Sequence, residues 1–512
     1  MKNFDKEKKL QFFAVFVTFL TIIVLSGVTY TFFASAVSNT NNEKFSTTTA
    51  TLSLVFADGD NGVSASLNLG ESIVKKFTLE NTGTVDAYGK INWYNLVNTY
   101  TTDSLTWTLE KSDTENGTYT TVGSGKVPTS SSTNTTVLKN GLLVPVSKTY
   151  YYKLTITLNN LDINQSSDIN ASMHSKFSLE AGQEPGTDKI LNLVAGEPSN
   201  TTDVITKAVP SEANCTNTLA YDGTVDNNLR YVGANPCNYV TFNGETAGWR
   251  IIGVMNNVDD GTGNLETRIK LIRNESLGNY SWDSSVSNVN GGYGINDWTQ
   301  ADLKNELNGD YLDTTLTENT NWYNGQSNAQ TGVFDITKRL SSTAQAQIGD
   351  AKWYLGGMQQ TYTDLISDVM YTKERGMEVW GNPTGTCNDG FCPRSLNWTG
   401  KVALIYPSDY GYATAGGTTT SRGECIGSIA TNLWSSDYGD CENNDYLKPS
   451  SYNWLLSPNS RDARCAIIVH NSGIVTYNNT YSVSAVFPTV YLKSEVSISR
   501  GNGSVTEPYE FR

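Results

Sequence analysis

Cysteine is missing from the first 214 residues of this 512-residue chain; all seven cysteines lie between Cys215 and Cys465. No disulfide can therefore brace the N-terminal region, and any bridges belong to one later part of the chain. No C-x-x-C pair occurs, which argues against a zinc ribbon or a thioredoxin-type redox site. Histidine is nearly absent, with only His174 and His470. No H-E-x-x-H and no Ser/His/Asp arrangement is found, so the common hydrolytic machineries lack their parts. Positive charge is also short: 36 Lys and Arg face 51 Asp and Glu, a formal net charge of −15. That argues against a nucleic-acid role, since phosphate contacts need clustered Lys and Arg. It equally argues against a broad contact with an anionic bilayer surface. Proline (13) and methionine (6) are few, while Asn, Thr, Ser, Gly and Tyr abound. The balance suits a β-rich extracellular protein with many turns rather than a disordered one.

The N-terminus carries Lys2, Lys6, Lys8 and Lys9, and no charged residue occurs from Leu10 to Asn42. The apolar run from Phe12 to Ala36 exceeds the roughly 20 residues needed to span a bilayer. Lysines before it predict a cytoplasmic N-terminus and an external remainder. Ala34-Ser35-Ala36 has the A-x-A form of a signal-peptidase site. Residues 1–43 are thus read as a signal peptide or a retained membrane anchor. Both place the rest outside the cytoplasm, where disulfides persist.

Residues 44–181 read as an all-β sandwich. Short alternating strands recur between turn signals: Thr51–Phe56, Ile73–Leu79, Ala87–Tyr94, Leu105–Leu109, and Tyr150–Leu158 as the longest. Tyr30-Thr31-Phe32-Phe33 and Lys76-Phe77-Thr78-Leu79-Glu80-Asn81-Thr82-Gly83-Thr84 resemble the camelysin/TasA-like surface and biofilm-matrix proteins of Gram-positive bacteria. That resemblance implies a domain that stands on the surface or assembles into fibres. Gly182-Gln183-Glu184-Pro185-Gly186 is a cluster of breakers, and residues 182–212 read as a linker with a short helix near Thr187–Val194.

Residues 213–512 read as a disulfide-bearing α+β domain. Asn243-Gly244 sits between two strand-like runs and marks a hairpin. Helices are expected over Trp298–Leu307, with Asp297 as N-cap, and over Ala344–Trp353. A strand is expected at Lys401–Ile405 and a loop from Ser408. Local pairing would join Cys215 to Cys237, closing a loop worth about 3 kcal/mol, Cys387 to Cys392 across an Asp-Gly turn, and Cys425 to Cys441; six cysteines allow fifteen connectivities. Cys465, at the head of an apolar strand, is left as a buried thiol.

The last fifth is the most patterned. Trp454-Leu455-Leu456-Ser457-Pro458, then a turn at Gly473, then Val486-Phe487-Pro488-Thr489-Val490-Tyr491-Leu492 resemble the closing segment of bacterial C-type-lectin-like domains. That fold is shared with the formylglycine-generating enzyme and with the variable ligand-binding proteins of diversity-generating retroelements. Asn228–Val254 resembles the start of a related surface-protein domain. The resemblance implies a ligand-binding module. The enzyme reading would need two free thiols and copper, whereas these cysteines fit structural pairing, so no catalytic residue and no cofactor are expected. The calcium-lectin motifs are absent. Asn296-Asp297-Trp298 has similar letters but reads as a helix start, and Asn459 offers an amide where a calcium cage favours carboxylates. No metal site is assigned, although Asp222 and Asp259-Asp260 lie in acidic loops.

Between the apolar runs of the last fifth lie Tyr452, Asn453, Asn459, Arg461, Arg464, His470, Tyr477, Asn478, Asn479 and Tyr481. Aromatic and short polar side chains suit recognition, because they give contact area and adaptable hydrogen bonds at low entropic cost. They are the candidate ligand contacts, with an extracellular protein or glycan as partner. A fibre or matrix subunit is the alternative.

Overall fold

The structure is a computed structural model. It describes residues 54–58, 63–65 and 67–512, apart from 85, 102–103, 129–134, 162, 183, 200–201, 210–213, 285–293, 326–328, 359–364, 377–394 and 428–438. The N-terminal apolar segment, Ala36, Cys387 and Cys392 lie outside the described residues. Among those described, no helix is long and apolar enough to cross a membrane. The chain divides into two compact units between Gln183 and Glu184.

Among the described residues the first unit has nine antiparallel strands: β1 (Leu54–Asp58), β2 (Val63–Ala65), β3 (Ser72–Asn81), β4 (Ala87–Asn98), β5 (Leu105–Ser112), β6 (Thr120–Lys126), β7 (Thr135–Val144), β8 (Thr149–Leu158) and β9 (Met173–Ala181). They form two sheets, ordered β1-β3-β8-β5-β6 and β2-β9-β4-β7. Alternation creates the core. On β8, Tyr152, Leu154, Ile156 and Leu158 are buried while the residues between them are half-exposed. They share one apolar cluster with Phe77 and Leu79 of β3, Ile91 and Trp93 of β4, and Phe177 and Leu179 of β9. Each such aliphatic side chain contributes about 1.5–3 kcal/mol by leaving water. This is the sandwich that the strand pattern predicts. One expectation fails: β4, with 12 residues, is longer than β8, with 10. Register shifts between Tyr94 and Val97, with Asn95 at φ 52°, break the alternation of β4 and disguise its length in the sequence.

The second unit begins with α1 (Gly186–Asn192). The stretch read as a linker belongs to this unit from Glu184 onward, because Ile190, Val194 and Ile205 lie in its core. β10 (Ile205–Lys207), β11 (Asn217–Tyr221), β12 (Leu229–Tyr231), β13 (Tyr239–Phe242), β14 (Glu245–Asp259) and β15 (Leu265–Arg273) follow. β13 and β14 join through Asn243 (φ 58°) and Gly244 (φ 75°), the two successive positive angles that a tight hairpin turn requires. Then come β16 (Asn279–Ser281), α2 (Asp302–Asn308), β17 (Thr320–Tyr323), β18 (Gln330–Phe334), α3 (Ser342–Gln347), β19 (Ala351–Tyr354), α4 (Ser367–Arg375), β20 (Asn397–Gly400) and β21 (Val402–Ala403). The chain closes with α5 (Pro407–Tyr412), α6 (Arg422–Gly427), α7 (Gly439–Asn443), β22 (Asn453–Pro458), β23 (Cys465–Val469), β24 (Val475–Asn479), β25 (Val483–Ala485), β26 (Thr489–Tyr491), β27 (Ile498–Arg500) and β28 (Tyr509–Phe511).

A ten-stranded sheet runs β10-β11-β12-β14-β13-β28-β27, with β15 joining β14 to β26 and β26 joining β15 to β21. A five-stranded sheet runs β16-β25-β22-β23-β24. The core holds a tryptophan cluster, in which Trp282 lies 5.0 Å from Trp298 and 5.8 Å from Trp454 in edge-on geometry. Such pairs add about 0.5–1.5 kcal/mol beyond the area they bury. Cys215–Cys237 and Cys425–Cys441 are disulfide-bonded, which fits an oxidising compartment. Cys465 is free and buried, and burial pushes its thiol up to about 12.

Several local expectations need correction. The first helix starts at Asp302, not Trp298, and Ala301 is its N-cap. Asp297 instead closes the preceding turn, its carboxylate accepting the Thr299 N–H at 3.0 Å. The second helix is short: Ser341 caps it by accepting the Ala344 N–H, and Trp353 sits in β19, paired with β20. The strand expected at Lys401–Ile405 is only Val402–Ala403, held by β26. The loop expected from Ser408 is helix α5. Pro407 at its first position supplies the fixed φ, and Asp409 accepts the Tyr406 N–H at 2.9 Å, closing the helix start.

Candidate functional site

The closing hairpin is formed by β23 and β24. Val469 pairs with Val475 and Cys465 with Asn479, and Gly473 turns the chain at φ 84°. β24 is an edge strand of the five-stranded sheet. The strands themselves are core: every residue of β23 is buried.

The candidate residues fall at two ends of this hairpin. At one end the Tyr452 and His470 rings pack at a tilt of 37°, with centroids 4.5 Å apart, and the tyrosine hydroxyl lies 2.8 Å from His470 Nε2. His470 Nδ1 lies 2.7 Å from the Ser472 hydroxyl. Asn453 begins β22 beside Val469 and is half-buried. At the other end are Arg461, Arg464, Asn479 and Tyr481. Arg464 grips Asp462 through two hydrogen bonds of 2.9 and 2.7 Å. Asn479 Nδ2 donates to the Tyr481 hydroxyl at 3.3 Å. The five residues of β23 separate the two ends by about 13 Å, at 3.3 Å per residue. Tyr477 lies between, on the free edge, and pairs with Ile467 in register. Alternation puts Tyr477 and Asn479 on the opposite sheet face from Asn478.

Exposure sorts the set. Tyr452 is 43% exposed and Tyr477 is 46% exposed. Among the described residues no other aromatic side chain is classed as exposed. Asn459, by contrast, is buried, and its side-chain oxygen accepts the Arg461 N–H at 2.8 Å and the Asp462 N–H at 3.2 Å. That amide shapes the loop from within, which leaves it no surface to offer a ligand.

Asn296, read from the sequence as part of a helix start, is the pin of the same loop. Its side-chain N–H2 lies within 2.7–3.0 Å of the carbonyls of Asn459, Asp462 and Cys465. Removing this buried amide leaves the Asn459 carbonyl without this donor, and leaves the Asp462 and Cys465 carbonyls only the backbone N–H groups of Cys465 and Asn459. Asn296→Ala is expected to cost about 1–3 kcal/mol and to speed amide hydrogen exchange at Arg461–Arg464, read by mass spectrometry. Unchanged exchange there would show that the loop holds itself.

Beneath the surface lies a charged constellation that strand alternation did not reveal. Arg230 of β12 donates through Nε to Asp222 and through NH1 to Asp409, each at 2.8 Å. Lys270 of β15 reaches the other Asp409 oxygen at 2.5 Å. All four side chains are at most 2% exposed. Burial alone would raise the Asp409 carboxyl, but Lys270 and Arg230 overcome it and hold it down at about 2. Burial lowers the Lys270 ammonium to about 8 despite Asp409. Nearby on α4, Glu374 is wholly buried, accepts both the N–H and the hydroxyl of Ser408, and is raised by burial to about 7. Asp222 is therefore part of an ion-pair network. Asp259 and Asp260 accept backbone N–H groups of their own loop from Gly261, Thr262 and Gly263. Among the described residues no three His, Cys, Asp or Glu side chains gather as a metal-ligand group.

Compared with known proteins, the chain matches no protein-family model and no curated protein.

Proposed function

We propose that the protein is a bacterial, extracytoplasmic binding protein, in which a β-sandwich precedes a C-type-lectin-like module that recognises an extracellular protein or glycan through its closing hairpin. The observation that carries this reading is exposure. Tyrosine is abundant in the chain, and all but two of the described Phe, Trp and Tyr side chains are buried or half-buried. The two left open, Tyr452 and Tyr477, both fall on the hairpin stretch whose composition suggests recognition. Exposed tyrosine offers a large, rigid and amphipathic contact surface, the kind that dominates recognition energies. The disulfides support a place outside the cytoplasm.

The test is to probe glycan and protein arrays with the purified protein and to measure the affinity of any ligand captured. Tyr477→Ala is expected to weaken that ligand by about tenfold or more, about 1.4 kcal/mol. Retention of full affinity would place the contact surface elsewhere. Filaments by electron microscopy, with no ligand on either array, would instead favour a matrix subunit.

A further inference from the structure

We propose that Lys270 and Asp409 react with each other in the folded protein to form an intramolecular isopeptide bond, tying strand β15 to helix α5. The geometry is that of a reactant pair. Lys270 Nζ lies 2.5 Å from Asp409 Oδ2, and since the C–O bond adds only about 1.2 Å the nitrogen is within about 3.7 Å of the carboxyl carbon. Both side chains are sealed from solvent, at 1% and 2% exposure. The amine has no second acceptor among the described residues. Its remaining surroundings are aromatic: the rings of Tyr406, Tyr491 and Trp353 lie 4.4, 5.2 and 5.4 Å away. The ring faces attract the ammonium by cation–π contact, but burial opposes its charge more strongly. A lysine that must act as a nucleophile gains much from such a setting, because the neutral amine is the reactive form. The downward shift of its ammonium to about 8 has this same cause, burial.

The other contacts fit the steps. Asp409 rests ionised, so the first step is an uphill transfer of a proton from the Lys270 ammonium to Asp409 Oδ2, giving amine and carboxylic acid. Nζ then attacks Cγ and a C–N bond forms. Charge builds on Oδ1, where Arg230 NH1 already donates at 2.8 Å, an oxyanion-stabilising position. A second amine proton moves to Oδ2, the Cγ–Oδ2 bond breaks, and water leaves. An ammonium and a carboxylate become a secondary amide and one water, with no oxidant or co-reactant. Charge balance survives as well. Two cations and two anions are buried before the reaction; afterwards Arg230 still holds Asp222 at 2.8 Å, and the costly second ion pair is gone.

The test is peptide mapping of the natively folded, full-length protein after reduction and trypsin digestion. The proposal predicts a branched species joining Ile269–Arg273 to Val402–Arg422. It weighs one water less than the two peptides together, and no cleavage follows Lys270. Lys270→Arg abolishes the branch. Asp409→Asn yields the same branch, with ammonia leaving in place of water. Because the wild-type map decides by itself, a variant that fails to fold does not blunt the test. Two linear peptides of full sequence mass, with cleavage after Lys270, would overturn the proposal, as would a water loss mapped to any other residue.

Discussion

Arg230→Met is expected to destabilise the second unit by about 3–5 kcal/mol at pH 7, the range for breaking a buried ion pair from one side. The guanidinium is fully buried and serves two carboxylates at once, Asp222 and Asp409. Methionine fills much of its volume, so the loss reports charge rather than a cavity. Asp222 suffers most, because Arg230 is the cation it bonds. Burial alone would raise the Asp222 carboxyl; Arg230, with Asn228 and Thr224, brings it below the usual range instead. The pH dependence follows in sign. A depressed carboxyl stabilises the fold above its unfolded value, near pH 4, and that contribution disappears as pH falls through the folded value. In the variant only the hydrogen bonds from Asn228 and Thr224 still oppose burial and the carboxyl rises, so the penalty applies at neutral pH and fades in acid. The gap between wild type and variant should be widest at pH 7 and should close progressively below about pH 4. Urea unfolding at several pH values reads this directly. A pH-independent loss of under about 1 kcal/mol, the size of a surface pair, would show that the network is incidental.

Glu306→Gln should do the opposite and stabilise the protein. Glu306 lies on α2, 6% exposed, with Oε1 accepting the Tyr323 N–H at 2.7 Å and Oε2 without a hydrogen-bond partner among the described residues. Burial is the main cause that pushes its carboxyl up to about 9, with Asp302 and Asp310 adding to it against the pull of the Tyr323 N–H. Folding at pH 7 therefore takes up a proton. For a raised carboxyl the fold loses stability as pH climbs from the unfolded value, near 4.5, to the folded one, and then levels off. At pH 7 the cost is on the order of 3 kcal/mol, from about 1.4 kcal/mol per unit. Glutamine has the same shape, keeps an acceptor for Tyr323 and carries no proton to gain. The variant should melt several degrees above wild type at pH 8 and alongside it near pH 4. A lower melting temperature at every pH would mean that the acid form makes a bond glutamine cannot replace.

What the sequence reveals here depends on how local the cause is. The Asn243-Gly244 hairpin is legible because two adjacent residues carry the required backbone angles. The sandwich core is legible because period-two burial on β8 is a local pattern. Helix α5 was also available in principle, through Pro407 and Asp409, but its tyrosines and Gly411 read as a loop. Arg230, Lys270 and Asp409 were not legible. In Arg268-Ile269-Lys270-Leu271-Ile272 the alternation suggests that Lys270 faces water, yet six of the nine residues of β15 are buried in succession. A sheet packed on both faces hides its polar alternation, and only the partner side chain, 139 residues away, shows why the charge is tolerated. Asn296 is the same case: its three acceptors lie more than 160 residues downstream. The candidate contacts were legible as a composition and not as a surface. Pairing register separates them into two ends and an edge, and Asn459 turns inward.

The central claim is that recognition runs through the exposed edge of the closing hairpin. The most direct measurement is the affinity of the array-selected ligand for wild type and for a Tyr452→Ala, Tyr477→Ala double variant, with folding verified by matched thermal unfolding. The account predicts that the double variant loses at least tenfold in affinity while Val333→Ala, a still more open site on β18, binds like wild type. Equal affinity for the double variant and wild type would contradict it.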